Sequence, residues 1–371
     1  MNVVQEPCSP YSENGRAHAQ FVLFFWPKAN VDSSTKFNEA LNFLNELAMQ
    51  DSHCDAWPLF TLHRKTGAMA AAVARTRWLA AFIALSALSL ADASAAQVPG
   101  PPCPASLARR IPSSPAQALS GSAFAREVET LSGVQRDAVA EPVLLGGNVP
   151  EFLRHLRPIT LQSPMADGRE IKVTVCVTPD YLAVGSNNDF VRVPVGLRTA
   201  LAVAERFGFL LPTTKIVDAI YAQADIRVAP EPLQASSEMR STAYFVQHDR
   251  LVRQETLAEG AVLGSLIAGQ KKDLVITSRL LTYPGRVAIY GWHRQNGLPI
   301  QSLSTVHGEN YADYSHGVRL VSDVAYVNGK EHPLRAVLQD PQLASAVNSE
   351  GPITNLDTLL ISLLNGPRSS H

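Results

Sequence analysis

Residues 69–96 constrain the fold of this chain most, because they decide which part of it remains to fold. The segment reads MAAAVARTRWLAAFIALSALSLADASAA. Arg75 and Arg77 precede an apolar run from Trp78 to Leu90, and small residues follow it, which is the pattern of a secretory signal peptide. The apolar run is shorter than the roughly 20 residues that a membrane-spanning helix needs. The pattern predicts a secreted or periplasmic bacterial protein without a stable membrane anchor.

An export signal acts from the N-terminus of a chain, so residues 1–68 need an explanation of their own. Either translation begins at Met69, which their different composition favours, or they are an unrelated extension. Residues 97–112 begin with a proline-rich stretch and are predicted to be a linker. The remaining residues, 113–371, are enough for a single domain with one core.

Charge and cysteine content limit the partners and the compartment. The chain has 32 basic and 33 acidic residues and a formal net charge of -1, which offers no basic surface to nucleic acid. Glycine-rich phosphate-binding motifs are absent from the sequence, so we expect no nucleotide cofactor. After the signal segment two cysteines remain, Cys103 and Cys176. In an oxidising compartment they could pair, or Cys176 could be a buried strand residue and Cys103 a free thiol.

Hydrophobic periodicity predicts an α+β fold, with a mostly antiparallel sheet, packed helices and a single core. A hairpin is predicted over 159–177 around an Asp-Gly turn, followed by a helix over 197–207 and a helix capped by Thr213 or Thr214. Residues 242–257 form either a third helix or an irregular turn and helix. Neighbouring strands are predicted at 273–279 and 286–292, and two more at 318–322 and 324–327 close that sheet.

The segment from His293 to Asp323 concentrates groups that transfer protons or bind metals. Its candidate catalytic residues are His293, His307, Asp313, His316 and Arg319. Imidazole and carboxylate ligands suit zinc, so His307, Asp313 and His316 are predicted either to bind a divalent metal or to share proton transfer. His293 would act as the base and Arg319 would bind an anionic group. Calcium is a second metal candidate, because the turn from Asp180 to Asp189 is rich in side-chain oxygens.

These residues predict a hydrolase, metal-assisted or acting by general acid/base catalysis, with a small-molecule or cell-envelope substrate. The bond, whether amide, ester, lactone or glycan, and the oligomeric state are left open. Lys271 and Lys272 stand just ahead of the predicted strand. Such a pair marks a solvated edge or, if it lies beside His307, binds an anionic substrate or an oxyanion.

Two alternatives concern the same segment. Residues 314–320 read YSHGVRL and resemble the SHGCxRL signature of L,D-transpeptidases, which also have an upstream His-Gly pair like His307-Gly308. The cysteine nucleophile of that signature, expected between Gly317 and Val318, is absent. The resemblance implies acyl transfer, with Ser315 or Ser304 as a nucleophile activated by histidine. The other alternative is a non-enzymatic envelope or carbohydrate-binding protein, with Trp292, Tyr311 and Tyr314 along a groove.

Overall fold

A computed structural model describes residues 103–165 and 168–365 of the chain. These described residues belong to one compact unit. The predicted N-terminal extension, the predicted signal peptide and part of the Asp-Gly turn lie outside the described residues. None of the described helices is long and apolar enough to cross a membrane.

Helices and strands alternate irregularly along the described residues. The α-helices are α1 (Ala105–Ala108), α2 (Gly121–Glu127), α3 (Gly133–Leu145), α4 (Leu197–Phe207), α5 (Thr214–Gln223), α6 (Thr242–Ala258), α7 (Arg279–Thr282), α8 (Leu334–Gln339), α9 (Ala344–Val347) and α10 (Leu356–Asn365). The strands are β1 (Arg157–Pro164), β2 (Glu170–Val177), β3 (Ala183–Gly185), β4 (Phe190–Arg192), β5 (Phe209–Leu210), β6 (Ile226–Arg227), β7 (Ile267–Ala268), β8 (Lys272–Leu274), β9 (Ile289–His293), β10 (Pro299–Ser304), β11 (His316–Gly317), β12 (Val321–Val327) and β13 (Lys330–Pro333). The α+β prediction is confirmed.

The larger sheet is antiparallel and has the strand order β1-β2-β12-β13, with β5 also paired to β12. The predicted hairpin is confirmed in strands β1 and β2, which pair from Arg157 with Val177 to Pro164 with Glu170. Strands β12 and β13 are joined by an Asn-Gly turn in which both residues have positive φ, as a tight hairpin turn requires.

The smaller sheet has the order β10-β9-β8-β11 and contains two of the five candidate residues, His293 in β9 and His316 in β11. Strands β8 and β11 are parallel, and the other pairs are antiparallel. The prediction that residues 318–322 and 324–327 close this sheet is wrong, because residues 321–327 form the single strand β12 of the larger sheet and residues 318–320 precede it. The predicted strand over 273–279 ends at Leu274.

Helices α4 and α5 follow the sequence closely. Helix α4 ends at Gly208, whose φ of 71° is the left-handed conformation that glycine adopts readily. Helix α5 is capped by Thr213, whose hydroxyl accepts a hydrogen bond from the Ile216 amide. Residues 242–257, for which the sequence allowed a helix or an irregular segment, form the regular helix α6.

Residues 103–112 are part of the folded body, although the sequence predicted a linker there. Helix α1 buries Leu107, and Ile111 joins the main hydrophobic core. Cys103 forms a disulfide with Cys176 in strand β2, across 73 residues of sequence. Its prolines dominate the local pattern and therefore predict a linker, whereas the disulfide is a contact between residues distant in sequence.

Candidate functional site

Two clusters of polar side chains lie on opposite faces of the smaller sheet. In strand β8, Lys272 pairs with His316 of β11 and with Gly291 of β9. Lys272 and Asp273 are consecutive in the strand, so their side chains point to opposite faces. One cluster of polar side chains surrounds His316 beside Lys272, and the other surrounds Asp273.

The first group, which we call the His316 cluster, consists of His307, Tyr311, Asp313, Ser315 and His316. Its Asp313 carboxylate is held by hydrogen bonds. Oδ1 accepts from the Ser315 amide at 2.8 Å and from the Ser315 hydroxyl at 2.6 Å, and Oδ2 accepts from the Tyr311 hydroxyl at 3.1 Å. Burial alone would raise the pKa of Asp313, but His316 and the Ser315 hydrogen bonds outweigh it and lower that pKa. Asp313 therefore remains a carboxylate near neutral pH.

His316 is buried, with 1% of its surface exposed. Within the described part of the chain, neither Nδ1 nor Nε2 of its ring has a hydrogen-bond partner. Nε2 lies 3.9 Å from Oδ2 of Asp313. Burial lowers the pKa of His316 to about 4, although Asp313 acts in the opposite direction. The ring is therefore neutral at pH 7 and can still take up or donate a proton.

Tyr311 and His307 form the outer part of the His316 cluster, and both are half-buried. Their rings stack with centroids 3.9 Å apart, and the Tyr311 ring meets His316 edge-on at 5.6 Å. Burial and the Asp313 charge raise the pKa of Tyr311 to about 12, so its hydroxyl remains a donor to Asp313. Tyr311 therefore contacts both histidines of the cluster.

The side chains predicted to bind a metal have other contacts in this geometry. Across residues 103–165 and 168–365, no three His, Cys, Asp or Glu side chains are arranged to hold a metal ion. His307 stacks on Tyr311, and both Asp313 oxygens already accept hydrogen bonds. Zinc binding by His307, Asp313 and His316 stays a prediction.

The oxygen-rich turn considered for calcium has structural partners. Asp180 is buried in an ion pair with Arg192 at 2.5 Å. Asn187 accepts a hydrogen bond from the Phe152 amide, and Asp189 accepts from the Ser122 amide and hydroxyl. These bonds fix the turn, as Asx side chains commonly do.

The group on the opposite face contains Arg319. Its guanidinium is fully buried, donates to the carbonyls of Thr178 at 2.9 Å and Ile267 at 2.6 Å, and lies over the Tyr181 ring. The Tyr181 hydroxyl donates to Asp273 at 2.9 Å, and burial raises the pKa of Asp273 to about 6. Arg319 thus ties together three backbone segments. The anion-binding role predicted for it stays a prediction.

His293 belongs to this opposite face as well. Its Nε2 lies 2.8 Å from Oδ1 of the exposed Asp218, and its ring stacks on Tyr221 at 4.5 Å. The Tyr290 hydroxyl donates to the same carboxylate. The structure therefore brings together His307, Asp313 and His316 among the predicted residues, and it holds His293 and Arg319 in other contacts.

Sequence reasoning did not assign Trp292 to the catalytic machinery, although it lies beside Lys272. Trp292 has a φ of 57°, a conformation that is rare for a bulky residue, and its buried Nε1 has no partner among the described residues. The Lys272 ammonium lies 4.9 Å from the centre of the Trp292 ring. Strained residues of this kind cluster at functional sites. No sequence signal marks the strain, apart from the preceding Gly291.

No match to this chain was found among protein-family models, curated proteins or solved structures. Its function is therefore inferred from the geometry of the site.

The two serines suggested as nucleophiles are engaged elsewhere. The Ser315 hydroxyl is buried and donates to Asp313 at 2.6 Å. The Ser304 hydroxyl, on strand β10, accepts from the Val306 amide at 3.4 Å. An activated serine instead gives its proton to a histidine or another base. These contacts offer no support for acyl transfer through either serine.

Lys271 is the clearest correction to the sequence interpretation. The sequence predicts a solvated edge for the pair Lys271-Lys272 or, beside His307, an anion-binding role, but Lys271 is only 1% exposed. Its Nζ donates to the Tyr314 carbonyl at 2.6 Å and to Nδ1 of His248 at 2.9 Å. Burial lowers the pKa of Lys271 to about 7. Lys271 thus anchors the chain just before Ser315 and His316, while Lys272 is half-buried beside them.

Proposed function

We propose that this protein is a secreted or periplasmic hydrolase in which His316 and Asp313 carry out general acid/base catalysis. One observation carries the proposal. His316 is buried, has no hydrogen-bond partner at either ring nitrogen within the described residues, and lies 3.9 Å from a carboxylate that is already fixed. A buried imidazole without partners is costly, and a bound substrate or water would satisfy it.

Each member of the pair has a distinct role. The neutral His316 ring takes a proton from an attacking water and returns it to the leaving group. The Asp313 carboxylate stabilises the imidazolium that forms in between. Ser315 and Tyr311 hold that carboxylate in place through their hydrogen bonds. A separation of 3.9 Å is long for a hydrogen bond, but such contacts tighten when substrate binds.

Lys272 supplies the positive charge for the reaction. It pairs with His316 across strands β8 and β11, and its ammonium rests over the Trp292 ring. A cation at that position stabilises the oxyanion that forms when water adds to a carbonyl. Glycoside hydrolysis generally needs two carboxylates flanking the bond, and the His316 cluster as defined contains one. The geometry therefore favours an amide, ester or lactone in a small-molecule or cell-envelope substrate.

Two features support export from the cytoplasm. Residues 69–96 have the pattern of a signal peptide. The disulfide between Cys103 and Cys176 is of a kind that persists in oxidising compartments and is rare in the cytosol.

The test is an activity screen on the purified chain beginning at Gln97, with ester, amide and lactone substrates, with and without a chelator. For the best substrate, His316→Gln and Asp313→Asn are expected to lower kcat by about 10²–10⁴-fold with a smaller effect on KM, as for loss of an acid/base group. His332→Gln, on strand β13 of the larger sheet, is the matched control and is expected to keep activity.

Circular dichroism spectra of each variant check that it is folded. Full activity in a folded His316→Gln protein contradicts the proposal. If the chelator abolishes activity and zinc restores it, the metal-assisted mechanism holds and the metal-free mechanism is wrong.

A further inference from the structure

A second candidate site lies away from the His316 cluster. It is a cavity of about 410 Å³ between the short 3-10 helix Glu151–Arg154, strand β4, and the segment from the end of α6 to β7. This volume lies within the range of small-molecule pockets. Its walls are mainly apolar, formed by Phe152, Phe190, Leu257, Val262, Leu263 and Ile267. None of these residues belongs to the His316 cluster.

The mouth of the cavity exposes large apolar side chains. Leu257 is 72% exposed, Val262 71% and Leu263 53%. Single exposed apolar residues are common, but here three of them, within seven positions, line one cavity. Covering them would remove apolar surface from water at about 25 cal/mol per Å². The mouth is thus suited to an apolar ligand.

The backbone explains why these side chains face outward. Between α6 and β7 the chain passes through Gly260 and Gly264, with φ of 77° and 88°. Glycine adopts such left-handed conformations without the steric cost that other residues incur. These two left-handed glycines turn the chain so that Val262 and Leu263 lie at the rim of the cavity. The Ser265 hydroxyl accepts a hydrogen bond from the Val262 amide.

The charged side chains that line the cavity, Asp180, Arg192 and Arg253, are compensated together with the adjoining Asp249. Arg192 lies between two carboxylates, 2.5 Å from Asp180 and 2.9 Å from Asp249. Arg253 pairs with Asp249 at 2.9 Å, and its guanidinium carbon lies over the Phe190 ring, 3.8 Å from the ring centroid. Two guanidiniums thus face two carboxylates. A charged ligand would lose hydration here without gaining a free counter-charge from these four groups.

Neutral polar groups complete the lining. The Asn187 and Asn188 amides border the cavity, and Asn187 is held in place because its Oδ1 accepts from the Phe152 amide. Amides can hydrogen-bond with hydroxyl or carbonyl groups of an uncharged ligand. Mostly apolar walls with a few fixed polar groups are typical of small-molecule sites.

We propose that this cavity binds a small uncharged molecule that has an apolar chain or ring and one hydrogen-bonding end. The apolar part lies against Phe152, Phe190 and the exposed rim, and the polar end faces the asparagine amides. The proposal is independent of the hydrolase proposal, because it uses none of the same residues.

The test follows the fluorescence of Nile red, an uncharged apolar probe, on addition of the chain beginning at Gln97, and then its displacement by three ligands of equal chain length. Decanol is expected to displace the probe at a concentration at least fivefold lower than decanoate or decyltrimethylammonium. Leu263→Glu and Val262→Ser are each expected to weaken probe binding at least fivefold. Leu281→Glu, at a leucine 46% exposed on α7 and outside the cavity, is the control and is expected to bind the probe normally.

Because the substituted positions are exposed, the variants should fold, and an unchanged urea midpoint verifies this. Four outcomes would overturn the proposal. The first is the absence of displaceable probe binding, and the second is that either charged ligand binds more tightly than decanol. The third is that the rim variants bind the probe as tightly as wild type. The fourth is a concentration-dependent dimer that Leu263→Glu abolishes. The last result, measured by sedimentation velocity, would mean that a second copy of the chain covers the rim.

Discussion

Replacing Lys271 by methionine is expected to change how the stability of the protein depends on pH. Lys271 is buried, and its Nζ contacts the Tyr314 carbonyl and the His248 ring. Its pKa is about 7 in the folded protein against an ordinary value of 10.5. Methionine is an unbranched apolar side chain that can fill the same space without a titrating group.

The sign of the effect follows from proton binding. Between pH 7 and 10.5 the unfolded chain holds a proton on Lys271 that the folded chain has mostly lost, so the free energy of unfolding rises with pH. From pH 7 to pH 9.5 the rise amounts to about 3 kcal/mol, at about 1.4 kcal/mol per pH unit after allowing for partial titration at pH 7. Lys271→Met lacks this contribution. The stability difference between wild type and variant should therefore shift by about 3 kcal/mol in favour of wild type.

The assay is urea denaturation of both proteins at pH 7.0, 8.0, 9.0 and 9.5 and constant ionic strength. Lys272→Met serves as the control, since it removes a neighbouring ammonium and leaves Lys271 intact. Subtracting the two proteins at each pH cancels the titration of groups that they share. The quantity compared is the free energy of unfolding of wild type minus that of Lys271→Met. If this quantity stays constant to within about 0.5 kcal/mol, or becomes less favourable to wild type as pH rises, the reasoning from burial is refuted.

Three further predictions concern stability. Arg192→Met leaves the buried carboxylates of Asp180 and Asp249 without their cation and is expected to cost about 3–5 kcal/mol in urea denaturation; an unchanged midpoint would contradict it. Reducing the disulfide, which spans 73 residues, is expected to cost about 4 kcal/mol, and a double cysteine-to-serine variant should lose its sensitivity to dithiothreitol. Thr213→Ala removes the cap of α5 together with the hydroxyl's hydrogen bond to the Val347 carbonyl and should cost about 2 kcal/mol; an equal loss in Thr214→Ala would contradict this role of the Thr213 hydroxyl.

Local patterns determined much of the fold from the sequence alone. Two β-branched runs on either side of an Asp-Gly turn predicted the hairpin of β1 and β2, and apolar residues at helical spacing predicted α4. Gly208 and Thr213 marked a helix end and a helix start because left-handed backbone and hydroxyl capping are local requirements. The sequence also singled out the loop that contains Asp313 and His316, since those side chains are close in the chain.

Contacts between distant segments were decided only by the tertiary structure. The pattern of β12 did not reveal its sheet, because pairing with β2 joins residues far apart in sequence. His293 and Arg319 lie close in sequence to His316, yet their contacts are with Asp218 and with the Thr178 carbonyl. Neighbouring residues of a strand point to opposite faces, so a dense segment can supply two separate groups.

Burial of polar groups was the other property that sequence could not determine. Lys271 and Lys272 have the same side chain and adjacent positions, but one is enclosed by His248 and Tyr314 and the other is half-buried above Trp292. A side chain's hydration depends on everything packed around it, and that environment exists only in the folded chain. The His316 ring, on which the proposed chemistry depends, has no hydrogen-bond partner among the described residues for the same reason. The sequence thus determined which reactive groups are present, and the fold determined which of them are buried together.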